Sequence, residues 1–355
     1  MNVKTFSDDY RAVRYDGTGL INLSACRGRI LVSGRDAAMF LNGLVTNDVK
    51  NLARGWWMPA IFANVQGRLI AAVRILHRDD GFLIDTEITT RDKVVDLLSR
   101  FILAGDFRVT DLTSEIGTLS IQGKRAAEKL STVLGDDDGA LERGRILQTR
   151  FDDKDLTIIR ATHTAEEGFD LFGAADLIEQ LHDALWNGGT EIVRGETVEV
   201  LRIEAGIPRY GVDMDENTVV SETSLDDAIS DTKGCYVGQE IIIRIKHRGH
   251  VAKKLAGVML EAPWPLDEHA EIISDDHQEI GRITSLTFSP RLDRQIALAY
   301  LKYDYLEEGT RIWIDHGEKQ VVAEVASLPI VRGSWYVSDS SEKPEEDVSE
   351  QPASV

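Results

Sequence analysis

The stretch "TKGCYVGQEIIIRIKHRGH", Thr232 to His250, sets one of the chain's two cysteines between two glycines, follows it with a Gln-Glu pair and then runs into five basic or histidine side chains. Gly234 and Gly238 flank Cys235, Tyr236 and Val237, a spacing that predicts a tight backbone path or a surface that a ligand approaches closely. From Gln239 the pattern reads as a short helix, with Glu240 in its first turn, Arg244 four residues on, and Arg, Lys and His gathered before Gly249. That order of charge complements the helix dipole. Three consecutive isoleucines, Ile241 to Ile243, suit a strand as well, so both elements stay open. A helix would put Cys235 just ahead of its positive end, where a thiolate is favoured. A small buried residue at a crowded turn explains the same sequence equally well.

Upstream, β-rich runs alternate with helical patterns. "RGRILVSG" predicts a strand and "RDAAMFLNGLV" a helix; "MPAIFANVQGRLIAAVRILHRDDGFLIDT" predicts successive strands turning at Gln66-Gly67 and Asp79-Asp80-Gly81. "TTRDKVVDLLSRFILA" predicts an amphipathic helix capped by Thr89 or Thr90. Then come strand "GTLSIQG", helix "KRAAEKLSTVLG", strand "LTIIRAT", a hairpin-like "EEGFDLFG" and helix "AADLIEQLHDALWNGG". This mixed order points to an α+β fold rather than a doubly wound parallel sheet. Beyond Gly249, "KKLAGVML", "EIISDDHQEIGRITSLTFS", "QIALAYL", "TRIWI" and "KQVVAEVASL" are short strands between Gly, Pro and Asp turns, the pattern of a small antiparallel barrel or sandwich. The expected division is residues 1–250 as the α+β region, 251–337 as the barrel, and 338–355 as a disordered acidic tail with net charge −5.

The chain carries a formal charge of −20 over 355 residues, and −15 without the tail, which argues against sequence-independent nucleic-acid binding. The start, "MNVKTFSDDYRAVRYDG", has acids where a signal peptide needs an apolar core, and no run approaches the roughly 20 apolar residues of a membrane span. A cytoplasmic protein is expected, without membrane association. Cys26 and Cys235 suit a reducing compartment and are too few for an iron–sulfur cluster held by one chain.

Other motifs fail on spacing. In "GTLSIQGKR" five residues, not four, separate Gly117 from Gly123, and Arg125 follows Lys124, so Gly123 reads as a sharp strand-to-helix turn rather than part of a phosphate loop. His247, His250 and Cys235 lack the ligands of a structural zinc site, and no G-x-S-x-G elbow is present. No metal is expected.

"KGCYVGQE" closely resembles the K-G-C-[FY]-x-G-Q-E signature of the YgfZ family of folate-binding proteins, relatives of the glycine-cleavage T-protein, an aminomethyltransferase. "FLNGLVTNDV", "LSIQG", "LRIEAGIPRYGVDMDE", "GRITSLTFSP" and "IALAYL" follow the family's order, so the likeness covers roughly residues 20 to 335. It implies a T-protein-like fold: two interlocked mixed α/β modules around a central channel for tetrahydrofolate or a folate derivative, then the C-terminal β-barrel. Glu166 in "THTAEEG" falls where the T-protein has a glutamate that binds the pterin, and Arg202 in "LRIEAG" where it has an arginine that binds folate. Lys233, Gly234, Tyr236, Gly238, Gln239 and Glu240 complete the expected cofactor-binding set and shape the surroundings of Cys235, the expected functional thiol.

One departure separates two activities. In "GRLIAA" the position of the T-protein's acid–base aspartate is Ala72, which cannot exchange a proton. The resemblance therefore implies an accessory protein for iron–sulfur cluster assembly or repair, whose partners are client enzymes or assembly factors. The alternative is a tetrahydrofolate-dependent one-carbon transferase using another carboxylate. Arg244, Lys246, Arg248 and Lys253 are expected to attract an anionic partner.

Overall fold

The computed structural model describes residues 7–135, 141–262, 270–315 and 320–337. The acidic tail and the side chains of Lys246, His247 and Arg248, all part of the reading above, lie outside the described residues.

The first unit follows from period-two alternation. Helix α1 (Asp8–Arg11) leads to β1 (Gly19–Asn22), then β2 (Arg27–Ser33), α2 (Ala37–Leu44), β3 (Trp56–Ala63), β4 (Leu69–Arg78), β5 (Gly81–Glu87), α3 (Ile88–Ser99) and β6 (Arg108–Asp111). Strands β3-β4-β5-β2-β6 form one antiparallel sheet. In β4, Ala71, Val73 and Ile75 are fully buried in the core that also holds Leu41 of α2, Ile84 of β5, and Val94 and Leu98 of α3. Burial of each large apolar side chain there contributes about 1.5–3 kcal/mol. The opposite face of β4 carries Ala72, Arg74 and Leu76. Helix α3 begins two to three residues earlier than its threonines suggest: Glu87 is the N-cap, and Thr90 Oγ1 donates back to the Glu87 carbonyl at 2.9 Å.

The second unit comprises β7 (Ile116–Gln122), α4 (Ala126–Leu134), β8 (Ile146–Phe151), β9 (Lys154–Arg160), β10 (Gly168–Ala174), α5 (Ala175–Asn187), β11 (Glu191–Ile192) and α6 (Gly195–Glu204). Its sheet runs β11-β1-β7-β10-β9-β8, so the amino-terminal strand β1 is built into it. Gly123 makes the sharp strand-to-helix turn, with φ +130°; a Cβ there would lie 2.6 Å from the Gly17 carbonyl oxygen. The two sheets meet through Leu76 and Leu83 of the first and Ile146, Ile159 and Phe172 of the second.

The Gln239 stretch is a helix, α7 (Gln239–Arg248). Of its four isoleucines only Ile242 is buried, whereas a two-sided strand would have paired Ile241 with Ile243 on one face. The barrel follows: β12 (Lys253–Leu260), β13 (Glu271–Ile273), β14 (Glu279–Ser289), β15 (Arg294–Lys302), β16 (Arg311–Asp315) and β17 (Gln320–Ala326), closed in the order β12-β15-β14-β13-β16-β17. Ala256, Ala297, Ala299 and Ala323 leave its interior narrow enough to fill with Val258, Ile283, Leu301 and Ile312. A last turn, α8 (Ser334–Val337), returns to the second unit. Among the described residues no helix is long and apolar enough to cross a membrane.

Candidate functional site

The loop that carries Cys235 is held from behind. Lys233 is 7% exposed, and its Nζ donates to the carbonyls of Asn42 (2.7 Å), Val45 (2.8 Å) and Asn47 (2.7 Å), at and just beyond the end of α2. Burial pulls its pKa down to about 8, so the ammonium stays charged at neutral pH. The Val237 N–H donates to the Gly43 carbonyl at 3.0 Å, a fourth tie to the same helix end. Gly238 then turns the chain with φ +84°, and a Cβ at this position would lie 2.5 Å from the Asn64 carbonyl oxygen. Gly234 differs, since nothing lies within 4 Å of its virtual Cβ. Between these anchors the Cys235 side chain is exposed as a free thiol. Gln239 is half-buried, Glu240 and Arg244 are exposed, and Lys253 is half-buried on β12.

Tyr236 points inward from the same loop. It packs with Ile61, Tyr210, Met214 and Ile242, and Ala72 lies against this cluster. Its hydroxyl is buried without a hydrogen-bond partner among the described residues, and burial raises its pKa to about 12. Ala72 sits directly opposite Ile61 in the β3–β4 ladder, on the face turned away from the α2 and α3 core.

That inner face is strongly charged. Asp85 on β5 accepts from Arg27 (Nε at 3.0 Å) and Arg74 (Nε at 2.7 Å), and Arg74 Nη1 reaches Asp170 on β10 at 2.5 Å, linking the two sheets. His163 Nε2 lies 2.9 Å from Asp170 Oδ2. Against the cost of burial, these cations hold both Asp85 and Asp170 below the usual carboxylate range. Glu87, two residues beyond Asp85 and so on the same face, is different. Among the described residues its Oε1 accepts only the Tyr210 N–H, at 3.1 Å, and burial pushes its pKa up. The register pairs Val73 with Thr86, which brings Ala72 and Glu87 side by side on adjacent strands.

Glu166 and Arg202 belong to two neighbouring hubs. Glu166 is 3% exposed; it accepts from Arg14 Nη1 (3.1 Å) and from the Ser334 N–H (2.8 Å) and Oγ (2.7 Å), fastening α8 to the second unit. Arg14 also donates to Glu204, which accepts from Tyr10 and Ser289. Arg202 is 5% exposed; it binds Asp213 (Nη1, 2.5 Å), Ser285 Oγ (2.6 Å) and Glu199, and Asp213 in turn accepts from Thr284 and Ser285 of β14. Both groups are committed to protein partners.

A model of the GCVT N-terminal domain matches residues 3–233, and one of the glycine cleavage T-protein C-terminal barrel domain matches residues 253–331. The chain belongs to the glycine cleavage T-protein family. An aminomethyltransferase from Rubrobacter xylanophilus is 31% identical over 91% of this chain and 86% of its own length. One from a Picosynechococcus species is 29% identical over 92% of this chain and 90% of its own. The crystal structure of a Bartonella henselae glycine cleavage system aminomethyltransferase T superposes with a TM-score of 0.83 at 22% identity, covering 91% of this chain and 89% of that one, and so shows the T-protein fold.

Within this T-protein frame, sequence reasoning missed Arg74, Asp85, Glu87, Asp170 and Arg14. A signal for three of them was present: a charged residue in an otherwise apolar strand, Arg74 in "AAVRIL", Asp85 in "FLIDT" and Asp170 in "GFDLFG". Such a residue is buried only when paired across the fold.

Proposed function

We propose that this chain is a tetrahydrofolate-binding accessory protein of the YgfZ type that supports assembly or repair of iron–sulfur clusters in client enzymes, with Cys235 as its functional thiol. The observation that carries the reading is the mounting of Cys235. An exposed thiol stands on a loop locked by the buried Lys233 ammonium and the left-handed turn at Gly238, an arrangement that presents sulfur to another molecule without a supporting acid. Ala72, at the position where the resemblance places the transferase's aspartate, agrees with that reading.

The inner face has groups suited to a flat polar heterocycle such as the pterin. Among the described residues the buried Tyr236 hydroxyl has no partner and one oxygen of the Glu87 carboxyl has none, and Ala72 lies against the cluster that holds Tyr236 and Tyr210. Glu87 would accept N–H groups of the pyrimidine edge, and Tyr236 would donate. Tetrahydrofolate, when bound, supplies nitrogens that carry one-carbon units. Glu166 and Arg202 would serve it by shaping the surrounding frame, and Lys233 by holding the loop.

Two measurements test the reading. Tetrahydrofolate should quench tryptophan fluorescence saturably, more weakly in Glu87→Gln and Tyr236→Phe; no saturable quenching would remove folate from the proposal. In a deletion strain under oxidative stress, Cys235→Ala should fail to restore iron–sulfur enzyme activity, and full restoration would remove the thiol.

A second reading has its own observation, the placement of Glu87 beside Ala72. A one-carbon transferase could move its proton through a carboxyl one strand away from the lost aspartate. Catalytic turnover with tetrahydrofolate and aminomethyl or methyl donors, abolished in Glu87→Gln, would establish it over the first.

A further inference from the structure

The outer wall of the barrel carries a cationic cavity unrelated to the Cys235 loop or the inner face. Its volume is about 240 Å³, and its lining includes Lys253, Arg282, Tyr300 and Lys302. The barrel ladder explains why these four residues meet. Ala299 and Leu301 point into the barrel, so Tyr300 and Lys302 point out from β15. Lys253 of β12 is registered opposite Lys302 on one side, and Arg282 of β14 opposite Tyr300 on the other.

Two features of this arrangement are costly in an empty cavity. Like charges opposite one another in a ladder repel, yet Lys253 and Lys302 are held so in a chain with net charge −20. Lys302 is secured by donating to the Glu279 carbonyl at 2.7 Å, and Lys253 Nζ lies 5.3 Å from the Tyr300 ring centroid; neither Lys253 nor Arg282 ion-pairs with a described residue. The second feature is the Tyr300 hydroxyl. The residue is 2% exposed, and its hydroxyl makes no well-formed hydrogen bond among the described residues, with only the Thr218 side chain beside it. A buried hydroxyl left unpaired costs about 1–3 kcal/mol. The acids nearby are the exposed Glu279 at the rim, Asp215 toward Arg282, the buried Asp213, which is paired with Arg202, and the buried Glu222, whose carboxyl pKa is raised by burial.

We propose that this cavity binds a phosphate group, with Arg282 and Lys253 as its cationic partners and the Tyr300 hydroxyl as a neutral donor. Three cations and one O–H around about 240 Å³ match the charge and size of a tetrahedral oxyanion, and the guanidinium offers it a two-pronged contact. The source is either free inorganic phosphate or a small phosphomonoester.

Calorimetric titration of the full chain with inorganic phosphate, and separately with glycerol 3-phosphate, tests this and separates the sources. At least one probe should bind saturably at a single site with a Kd below about 1 mM. Arg282→Gln should weaken it by about tenfold or more, the scale of one charge-assisted hydrogen bond. Tyr300→Phe, which keeps the packed ring, should weaken it several-fold, and Arg311→Gln, an exposed barrel arginine stacked on Trp313, should leave it unchanged. No saturable binding of either probe, or wild-type binding in both Arg282→Gln and Tyr300→Phe, would overturn the proposal.

Discussion

Lys233 donates from Nζ to the carbonyl of Val45 at 2.8 Å across 188 positions of sequence, so the start of the cysteine loop is also the cap of α2. Replacing it by Met takes the Nζ donor from the carbonyls of Asn42, Val45 and Asn47, of which Asn47 keeps the Val49 N–H. The expected loss is about 2–4 kcal/mol in urea unfolding. Lys233→Arg should rescue little, because a planar fork cannot converge on three carbonyls as a compact ammonium does. The pH dependence has a definite sign. With the native pKa at about 8, below the ordinary lysine value, the unfolded chain binds the extra proton between the two values. Relative to Lys233→Met, wild-type stability should therefore rise from pH 8 to about 10.4.

Glu166 offers a separation of frame from ligand. Removing its carboxylate strips Arg14 of one of two acids and Ser334 of its acceptor, in a site with almost no exposure. Glu166→Ala should cost about 3 kcal/mol in chemical denaturation, and should expose the Ser334–Val337 turn to limited proteolysis. If stability is unchanged while folate binding is lost, the carboxylate serves the ligand directly and not the frame.

Much of the architecture was legible because it rests on local periodicity. The barrel strands, the alternation of β4 and β5, and the turn at Gly123 all follow from residue spacing. The Ile241 to Ile243 run was ambiguous locally, and the fold settles it: the start of α7 packs closely on the Asn64–Gly67 turn, with Ile241 and Ile242 against Gly67. The inner charged face was not legible. Arg74 can be buried only because Asp85 and Asp170 converge on it from two sheets, and no spacing rule in one strand reveals a partner nearly a hundred residues away. Glu166 and Arg202 were found through the family pattern, while their hubs with Arg14 and Asp213 required the fold.

Cys235 should be chemically available at little structural cost. Both cysteines are exposed and free, so a thiol reagent should titrate two thiols in the native protein and one in Cys235→Ala. The substitution should change unfolding free energy by no more than about 0.5 kcal/mol, as for a surface side chain outside any bonded network. A loss of client-enzyme support in that variant would then report the sulfur itself. A large loss of stability would instead assign the residue to the packing of the loop.

Glu87 is the inner-face acid whose proton is easiest to move. Burial raises its pKa, and the Tyr210 N–H offsets only part of that cost. Above the ordinary glutamate value of about 4.3 the unfolded chain releases this proton before the native one does, so the native state is penalised as pH rises through the native pKa. Glu87→Gln keeps an oxygen for Tyr210 and removes the charge. It should therefore melt at a higher temperature than wild type at pH 7, with the difference vanishing as the pH falls below about 4. Ala72→Asp should move the system the other way, since a second carboxylate beside Glu87 raises the pair's upper titration further. If Glu87→Gln shows no pH-dependent gain, the carboxyl is not desolvated in solution and loses its claim as the proton carrier of the inner face.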